Sequence, residues 1–402
     1  MQLKKWGEIM GYVNPDKVWN YKNFNMGTEL DIAGEFIYDG ISSLNQMSSV
    51  DEKAGLFSFL YHIAVGIERL QKIVVVLFET VEMDNHEEFE KSLITHSHTK
   101  FNERILKFEN PKLNSRENRF LQMLTSFYNS ARYDRFNLNS QFAKEREVFC
   151  DFLTDQMPDT IEYHPFEKDI MLITPRVKEM LGRVIGSISK KYYALVHNGC
   201  AKAGTFTYEI RVNSKAEKVF LSTYDKNSLQ MQKVTEKIAF KELLAYFRKT
   251  KDKHGLMHYI DRIEPLDFDM ALINEYIAEI SNGTIPQTLV DEVETLYEEN
   301  DFHKDRIEQI DIIGDVCVDF DYYPLHLIYQ LMDELINKHI DFSKFIDEFH
   351  ELYEMIDEDD GYCILNDIPE LCNRVLKGEI DTDKFIDEIK RFHVEFKCFL
   401  NY

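Results

Sequence analysis

The sequence predicts a mainly α-helical protein that carries one β-hairpin insertion and ends in an array of acidic helical hairpins. Three observations predict this fold class. Apolar residues recur at helical spacing through most of residues 1–200, alternation with a period of two begins after Gly204, and an eight-residue segment recurs 40 residues later near the C-terminus. We therefore expect three domains: a helical bundle over 1–203, a hairpin with a basic helical segment over 204–263, and an acidic repeat domain over 264–402.

A long apolar helix, Gly55–Val81, is predicted to form the centre of the N-terminal bundle. Its apolar residues face nearly every side, which is typical of a helix that other helices surround. His62, Glu68 and Arg69 interrupt it. Because a charge in such a helix needs a partner or a water-filled cavity, Glu68 is a candidate site residue. A position on a narrow exposed strip of the helix is the alternative.

Two later clusters carry basic side chains that can pair with this helix. One is a pair of histidines at the start of a second helix, and the other is a pair of arginines in the last turn of a third. The four residues are His96, His98, Arg132 and Arg135. Cations at a helix C-terminus complement the helix dipole, which is a sufficient structural reason for both arginines. The functional interpretation is a polar pocket that the four residues share with Glu68.

The order of these elements resembles the HEPN superfamily of prokaryotic helical bundles. The resemblance covers about Gly55–Phe136 and rests on an apolar helix at Ala64–Phe78, a His-containing helix start at His96–Lys100 and an Ala-Arg-Tyr helix end at Ala131–Tyr133. It implies a bacterial defence or toxin-type protein that binds or cleaves RNA. Many members of the family are metal-independent endoribonucleases, in which an Arg and a His four to six residues apart act in paired copies formed by a homodimer.

A β-hairpin is predicted after Gly204. Thr205–Val212 and Ala216–Thr223 both alternate apolar and polar residues, and Asn213–Lys215 supplies turn-forming residues between them. The pattern predicts two paired strands and no other β-structure.

Two basic segments match or approach the Arg-His spacing of those ribonucleases. Arg248 and His254 are separated by five residues, but they lie far outside the resembling region. Lys190, Lys191 and His197 form a similar segment with lysine in the place of arginine. A histidine can move the proton of the RNA 2′-hydroxyl, and an arginine can stabilise charge that develops on the phosphate; lysine lacks the bidentate grip of arginine. An ordinary exposed basic stretch is the alternative for both segments.

These observations define the candidate site residues. The catalytic candidates are Arg248, His254, His96 and Arg132. The RNA-binding candidates are His98, Arg135, Lys190, Lys191 and His197. No metal or cofactor is expected, because phosphate-loop, nucleophile-elbow and HExxH patterns do not occur and His96-Ser-His98 has no carboxylate or cysteine at a typical ligand spacing.

An internal repeat predicts the architecture of the acidic block. Asp341–Glu348 recurs as Asp381–Glu388, and Gly283–Glu292 is a looser copy. Each copy follows an apolar-periodic helix and a short turn, so the repeat predicts helical hairpins stacked in series. Asp341 and Asp381 are expected to cap the second helix of their hairpins.

The net charge belongs almost entirely to this block. Residues 264–402 contain 36 Asp and Glu against 10 Lys and Arg, a balance of −26, whereas the preceding residues have 35 and 37, a balance of +2. A well-solvated acidic surface is one interpretation. The other is that the block docks on something basic, either a partner protein or the protein's own N-terminal part.

The remaining sequence features point to a cytoplasmic protein. No apolar stretch approaches the roughly 18 residues that a membrane helix needs, and the N-terminus lacks the apolar core of a signal peptide. The six cysteines show no CxxC spacing, which favours free thiols in a reducing compartment.

These features together predict a HEPN-like protein that binds or cleaves RNA through its first two thirds. The acidic array would then be a docking or autoinhibitory module. The alternative function is a non-enzymatic scaffold or inhibitor that binds a basic protein partner through the acidic helical array.

Overall fold

The computed structural model describes residues 16–140, 144–221, 229–249, 255–261, 263–299, 304–314, 323–354, 356 and 365–399. These residues are mainly helical, which confirms the predicted fold class at that level. None of them belongs to an extended strand, and the only β-pairing among them consists of two isolated bridges, Ser49 with Leu172 and Tyr163 with Met171.

The described α-helices account for most of the described residues. In order they are α1 (Lys17–Asn20), α2 (Met26–Gln46), α3 (Lys53–Phe78), α4 (His86–Ser92), α5 (His98–Ile105), α6 (Ser115–Ser126), α7 (Lys144–Gln156), α8 (Pro175–Ala203), α9 (Lys215–Phe220), α10 (Leu229–Lys249), α11 (Gly255–Asp261), α12 (Ile273–Ser281), α13 (Gln287–Glu299), α14 (Lys304–Asp311), α15 (Tyr323–Ile336), α16 (Phe342–Tyr353), α17 (Asp367–Leu376) and α18 (Thr382–Phe399). Two π-helical turns accompany them: the first π-turn, Tyr21–Asn25, precedes α2, and the second π-turn, Phe127–Ala131, directly follows α6.

Internal contacts divide the chain into two compact units, Met1–Ala239 and Phe240–Tyr402. The boundary falls inside α10. The three-domain division stays a prediction.

Helix α3 forms the centre of the N-terminal unit. It packs against α2, α5 and α8, and buried apolar residues run along its whole length. Helix α9 lies directly on α2, because Gly34 has no side chain at the point of closest approach. A Cβ atom there would collide with the backbone of Ala216.

The predicted β-hairpin is wrong. Residues 205–214 run without strand pairing, and the segment expected to form the second strand begins with the helix α9. Ser214 caps this helix by accepting from the Glu217 backbone N–H, and the Glu217 carboxylate accepts in return from the Asn213 N–H. Ser-x-x-Glu is a helix-starting pattern, and it outweighs the short alternation. Residues 222–223 of the predicted strand lie outside the described residues.

The C-terminal unit contains the predicted helical hairpins. The turns after α12, α15 and α17 each place one residue in the left-handed backbone region: Gly283 at φ 87°, Lys338 at 63° and Gly378 at 73°. The next residue of each turn then donates its N–H to a carbonyl of the preceding helix, at 2.9–3.1 Å. Since three turns share this geometry, the repeat in sequence is a repeat in structure.

Two aspartates begin the second helices of the last two hairpins, as predicted. Asp341 accepts from the Lys344 N–H at 2.9 Å, and Asp381 accepts from the Lys384 N–H at 2.8 Å. Helices α15 to α18 bury one shared apolar core. The hairpins therefore stabilise one another, as expected for units that cannot bury their apolar faces alone.

A bilayer crossing needs a long helix with few charges, and no helix among the described residues meets both conditions. Cys150, Cys200 and Cys372 are free thiols.

Candidate functional site

A cleft of about 740 Å³ opens in the N-terminal unit among α2, α3, the first π-turn and the segment before α5. Its volume is within the usual range for small-ligand sites. Aromatic rings and charges of both signs line it. They belong to Tyr21, Glu29, Phe36, Tyr61, Glu68, Arg69, Lys72, His96 and Tyr128.

Glu68 is the buried acid of the cleft. It is only 6% exposed, and its carboxylate lies 2.7 Å from Lys72 Nζ, one turn further along α3. A buried carboxylate is expensive unless other groups pair with it and donate to it. Lys72 meets part of this need, and a second donor comes from outside the helix.

His96 is that second donor. Its Nδ1 lies 3.1 Å from a Glu68 carboxylate oxygen, and its ring packs on Tyr128 with centroids 4.5 Å apart. Ser97 caps α5 by accepting from the Lys100 N–H, so His96 precedes the helix and its side chain stays 44% exposed. With Nδ1–H donated to the carboxylate, the neutral ring presents Nε2 as an acceptor. No described residue hydrogen-bonds that nitrogen.

Arg132 lies beside the cleft, between two tyrosine rings. Its guanidinium carbon is 3.9 Å from the Tyr128 ring centroid and 4.3 Å from that of Tyr133. No carboxylate among the described residues forms an ion pair with it, and its Nε is buried without a hydrogen-bond partner. Arg69 and Arg104, by contrast, pair with Glu29 and Glu79. Stacking therefore holds Arg132 in place while its charge stays uncompensated.

The second π-turn positions this arginine. The Arg132 N–H donates to the carbonyl of Phe127, five residues back, at 2.9 Å. The turn contributes Tyr128 to the cleft, and the first π-turn contributes Tyr21 and Asn25. Wide turns of this kind are rare and occur frequently at functional sites. Two of them supply the lining of one cleft here.

An ion pair forms another part of the cleft lining. Arg69 Nη1 donates to the carboxylate of Glu29 on α2, and the guanidinium lies 5.8 Å from the Phe36 ring centroid. Both members of the pair are about one-third exposed. They offer a donor and an acceptor side by side to a polar ligand.

His98 does not reach the cleft, although it is only two residues from His96. It is fully buried, its Nδ1 lies 3.1 Å from Gln71 Oε1, and Gln71 Nε2 donates back to the His98 carbonyl at 3.0 Å. Burial, with smaller effects of the neighbouring His96 and Lys72, lowers the pKa of His98 to about 3. A direct RNA contact by His98 would require this part of the core to open.

The other RNA-binding candidates of the N-terminal unit also lie away from the cleft. Arg135 pairs with Glu145. Lys191 pairs with the buried Glu117 at 2.6 Å, and the exposed His197 packs on Tyr208 with ring centroids 4.6 Å apart. Lys190 is half-buried on the same helix, α8, and does not line the cleft.

The pair with ribonuclease spacing is described only in part. Arg248 is exposed near the end of α10 and belongs to the C-terminal unit. His254 lies outside the described residues. Their role stays a prediction.

Several cleft residues were not among the candidates. Lys72 was detectable, because it follows Glu68 at the i,i+4 spacing that allows a helical ion pair. Tyr21, Tyr61 and Tyr128 carry no comparable local signal, since tyrosines in apolar segments usually belong to the core. No group of three or more potential metal ligands occurs within the described part of the chain.

Comparisons of the chain with protein-family models, curated proteins and solved structures found no match. The geometry and chemistry of the cleft are therefore the basis for assigning a function. The resemblance to the HEPN superfamily stays a prediction.

Proposed function

We propose that the cleft binds RNA and that His96 and Arg132 cleave it without a metal ion, in a HEPN-like protein of a bacterial defence or toxin-type system. One observation carries the proposal. An imidazole paired with a buried carboxylate shares the Tyr128 ring with an arginine that lacks a carboxylate partner among the described residues. These are the two groups that RNA transesterification requires, a base and a stabiliser of phosphate charge.

The proposed reaction assigns one role to each group. Glu68 accepts from His96 Nδ1–H, which leaves Nε2 to take the proton of a 2′-hydroxyl. The 2′-oxygen attacks the neighbouring phosphorus, and the guanidinium of Arg132 donates to the non-bridging oxygens as their charge rises. The bond from phosphorus to the 5′-oxygen breaks, and that oxygen takes a proton from solvent. The products carry a 2′,3′-cyclic phosphate and a 5′-hydroxyl.

Cleavage of end-labelled RNA by the purified full-length chain in EDTA tests the proposal. We expect His96→Gln and Arg132→Ala to lower the rate about 10²-fold or more. His339→Gln and Arg119→Ala are the matched controls, because both residues are exposed and neither lines the cleft. Mass spectrometry should identify the cyclic phosphate. Equal cleavage by the cleft variants and the wild type, or intact RNA with the wild type across diverse sequences, refutes the proposal.

A second candidate function is docking of a basic protein segment on the C-terminal unit. It is favoured by a groove of about 530 Å³ in that unit, where Val293, Tyr297, Ile307 and Ile310 provide apolar surface and carboxylates provide the rim. The rim carboxylates are Glu294, Glu298 and Asp311. Such a groove fits one face of an amphipathic basic helix.

A defined peptide tests this second function. A fluorescent peptide with Leu at helical spacing and Lys elsewhere should bind the full-length chain. Its affinity for the Ile310→Asp variant should be lower than its affinity for the wild type. A scrambled peptide of the same composition controls for charge alone. Equal affinity for the two peptides would show that only non-specific attraction to the acidic surface is at work.

A further inference from the structure

Two aromatic residues beside the cleft are exposed to an extent that packing does not explain. Tyr133 is 61% exposed and Phe136 is 87% exposed, and their ring centroids lie 6.4 Å apart at an interplanar angle of 51°. Exposed rings that cluster in this way are typical of a surface that another molecule covers. Exposure alone does not identify that molecule.

The position of Tyr133 identifies the chemistry of the molecule. Tyr133 is the outer member of a stack in which Arg132 lies against Tyr128, and Tyr128 lies against His96. The stack therefore leads from the exposed rings through a cation to the imidazole of the cleft. A ligand that follows it must present planar rings outside and a negative charge at Arg132. An RNA strand with unpaired bases has both, in alternation along its backbone.

We infer that Tyr133 and Phe136 form a stacking platform for RNA bases that lie outside the cleft, while Arg132 holds the phosphate between those bases and the cleft. This inference rests on the proposed function. Aromatic platforms accept every base, because each base has a flat face, and their contribution per base is large. In a duplex the base faces are hidden within the base stack, so paired RNA cannot use the platform.

The charges around the platform are also consistent with this contact. Arg135, the next cation along, pairs with Glu145, so the 3-10 turn Asp134–Phe136 presents the Phe136 ring and no uncompensated cation of its own. Among the described residues, Arg132 has no carboxylate partner, and it lies at the inner end of the platform. The bases of the RNA strand would therefore contact the exposed outer end of the stack, and its phosphate would contact Arg132 at the inner end.

Binding of a fluorescent 12-nucleotide RNA to the full-length chain tests the inference. His96→Gln is present in every protein so that cleavage is slow compared with the binding measurement. Tyr133→Leu with Phe136→Leu keeps apolar surface but removes the rings, and it should raise Kd about 10- to 100-fold. Tyr133→Phe with Phe136→Tyr keeps both rings and should bind like the parent. Tyr163→Leu with Phe166→Leu is the matched control, because these aromatics are also exposed but do not belong to the stack around Arg132.

A second readout reports stacking itself. A 2-aminopurine placed next to the bound phosphate should lose fluorescence on binding to the parent and keep it with the leucine variant. Intact duplex RNA should compete poorly.

The outcomes separate this inference from the proposed function. An unchanged Kd for the leucine variant overturns the platform but leaves cleavage by the cleft intact. Equal losses for the leucine and the ring-retaining variants also overturn it, because stacking would then not be the contact. A leucine variant that weakens self-association but leaves RNA affinity unchanged assigns the rings to an interface between copies of this chain, against the inference. Failure of the wild type to bind or cleave any RNA removes the proposed function, and the platform with it.

Discussion

His96 and Glu68 lie 28 residues apart in sequence, and their imidazole and carboxylate are 3.1 Å apart in the cleft. The carboxylate is buried and the imidazole is partly exposed. The acid therefore fixes the orientation of the ring, and solvent or ligand meets the ring's other nitrogen. This relationship between one buried and one accessible group is the centre of the candidate site.

Replacing Glu68 with Gln is expected to slow cleavage strongly without unfolding the protein. The amide can donate to His96 Nδ1 and hold the ring proton on Nε2, which is the nitrogen that must be free to act as a base. We expect the rate to fall about 10²- to 10⁴-fold. Single-turnover cleavage and a thermal melt of the same sample measure the two effects.

Glu117→Gln is the matched control for that prediction. Glu117 is also buried and also pairs with a lysine, Lys191, but it does not line the cleft. It should lose comparable stability and keep full activity. Equal activity losses in both variants would attribute the effect of Glu68→Gln to general damage.

The buried His98 predicts a pH dependence of stability. Its pKa is about 3 in the folded protein against 6.5 when unperturbed, because burial disfavours the charged ring. The unfolded chain therefore binds a proton below pH 6.5 that the folded chain does not. The stabilisation is complete above pH 6.5 and is lost as the pH falls toward 3, at about 1.4 kcal/mol per pH unit from this group.

Urea unfolding of the full-length chain between pH 7 and pH 4 measures this slope. His98→Gln cannot gain the proton, so the free energy of unfolding of its N-terminal transition should fall less steeply than that of the wild type. His197→Gln, an exposed histidine, should follow the wild type. Parallel slopes for His98→Gln and wild type would contradict the prediction.

Replacing Lys338 with glycine is expected to stabilise the C-terminal unit. It adopts φ 63° at the turn position that glycine occupies as Gly378 in the next hairpin. A residue with a side chain is disfavoured in this conformation by about 1–2 kcal/mol. Glycine removes that cost, but it also raises the conformational entropy of the unfolded chain, which offsets part of the gain in stability. Lys338→Gly should raise the free energy of unfolding by about 0.5–1 kcal/mol. Lys344→Gly, inside α16, should lower it, and a decrease for Lys338→Gly as well would refute the interpretation.

The two capping aspartates predict matched losses. Asp341→Ala and Asp381→Ala each remove one side-chain acceptor from a helix start, and each should cost about 1 kcal/mol. Asp→Asn at either position keeps an oxygen acceptor and should retain most of the stability. Thermal melts of the single and double variants measure the losses, and an alanine variant as stable as the wild type would show that water replaces the cap.

The features that sequence predicted well are those set by local chemistry. The hairpin repeat and its caps depend on residues within one or two turns of each other, so Asp341 and Asp381 could be assigned directly. The prediction of a β-hairpin after Gly204 was wrong, and the reason is also local. Val219 and Leu221 fit alternation, but Ala216, Val219 and Phe220 fit helical spacing, and the cap at Ser214 decides between the two.

The sequence was sufficient to name candidate residues for the site but not to predict which of them lie together in the cleft. His96 and His98 look equivalent as letters, yet the start of α5 falls between them and sends one to the cleft and the other to the core. Arg132 and Arg135 look equivalent as well, but a wide turn and a carboxylate separate their roles. The partners of the two histidines, Glu68 and Gln71, lie 28 and 27 residues away in sequence, and no local pattern records such contacts.

The wide turn at Phe127–Ala131 makes chain length, as much as residue identity, the quantity that sets the position of Arg132. An α-helix advances by about 100° per residue, so removing one residue from this turn would rotate the side chain of Arg132, which directly follows it, by about that angle. The shortened chain would still contain each cleft residue, and its core could remain folded, yet Arg132 would leave its place between the two tyrosines. Loss of a single codon in this turn would therefore remove Arg132 from the candidate site without replacing any of the cleft residues.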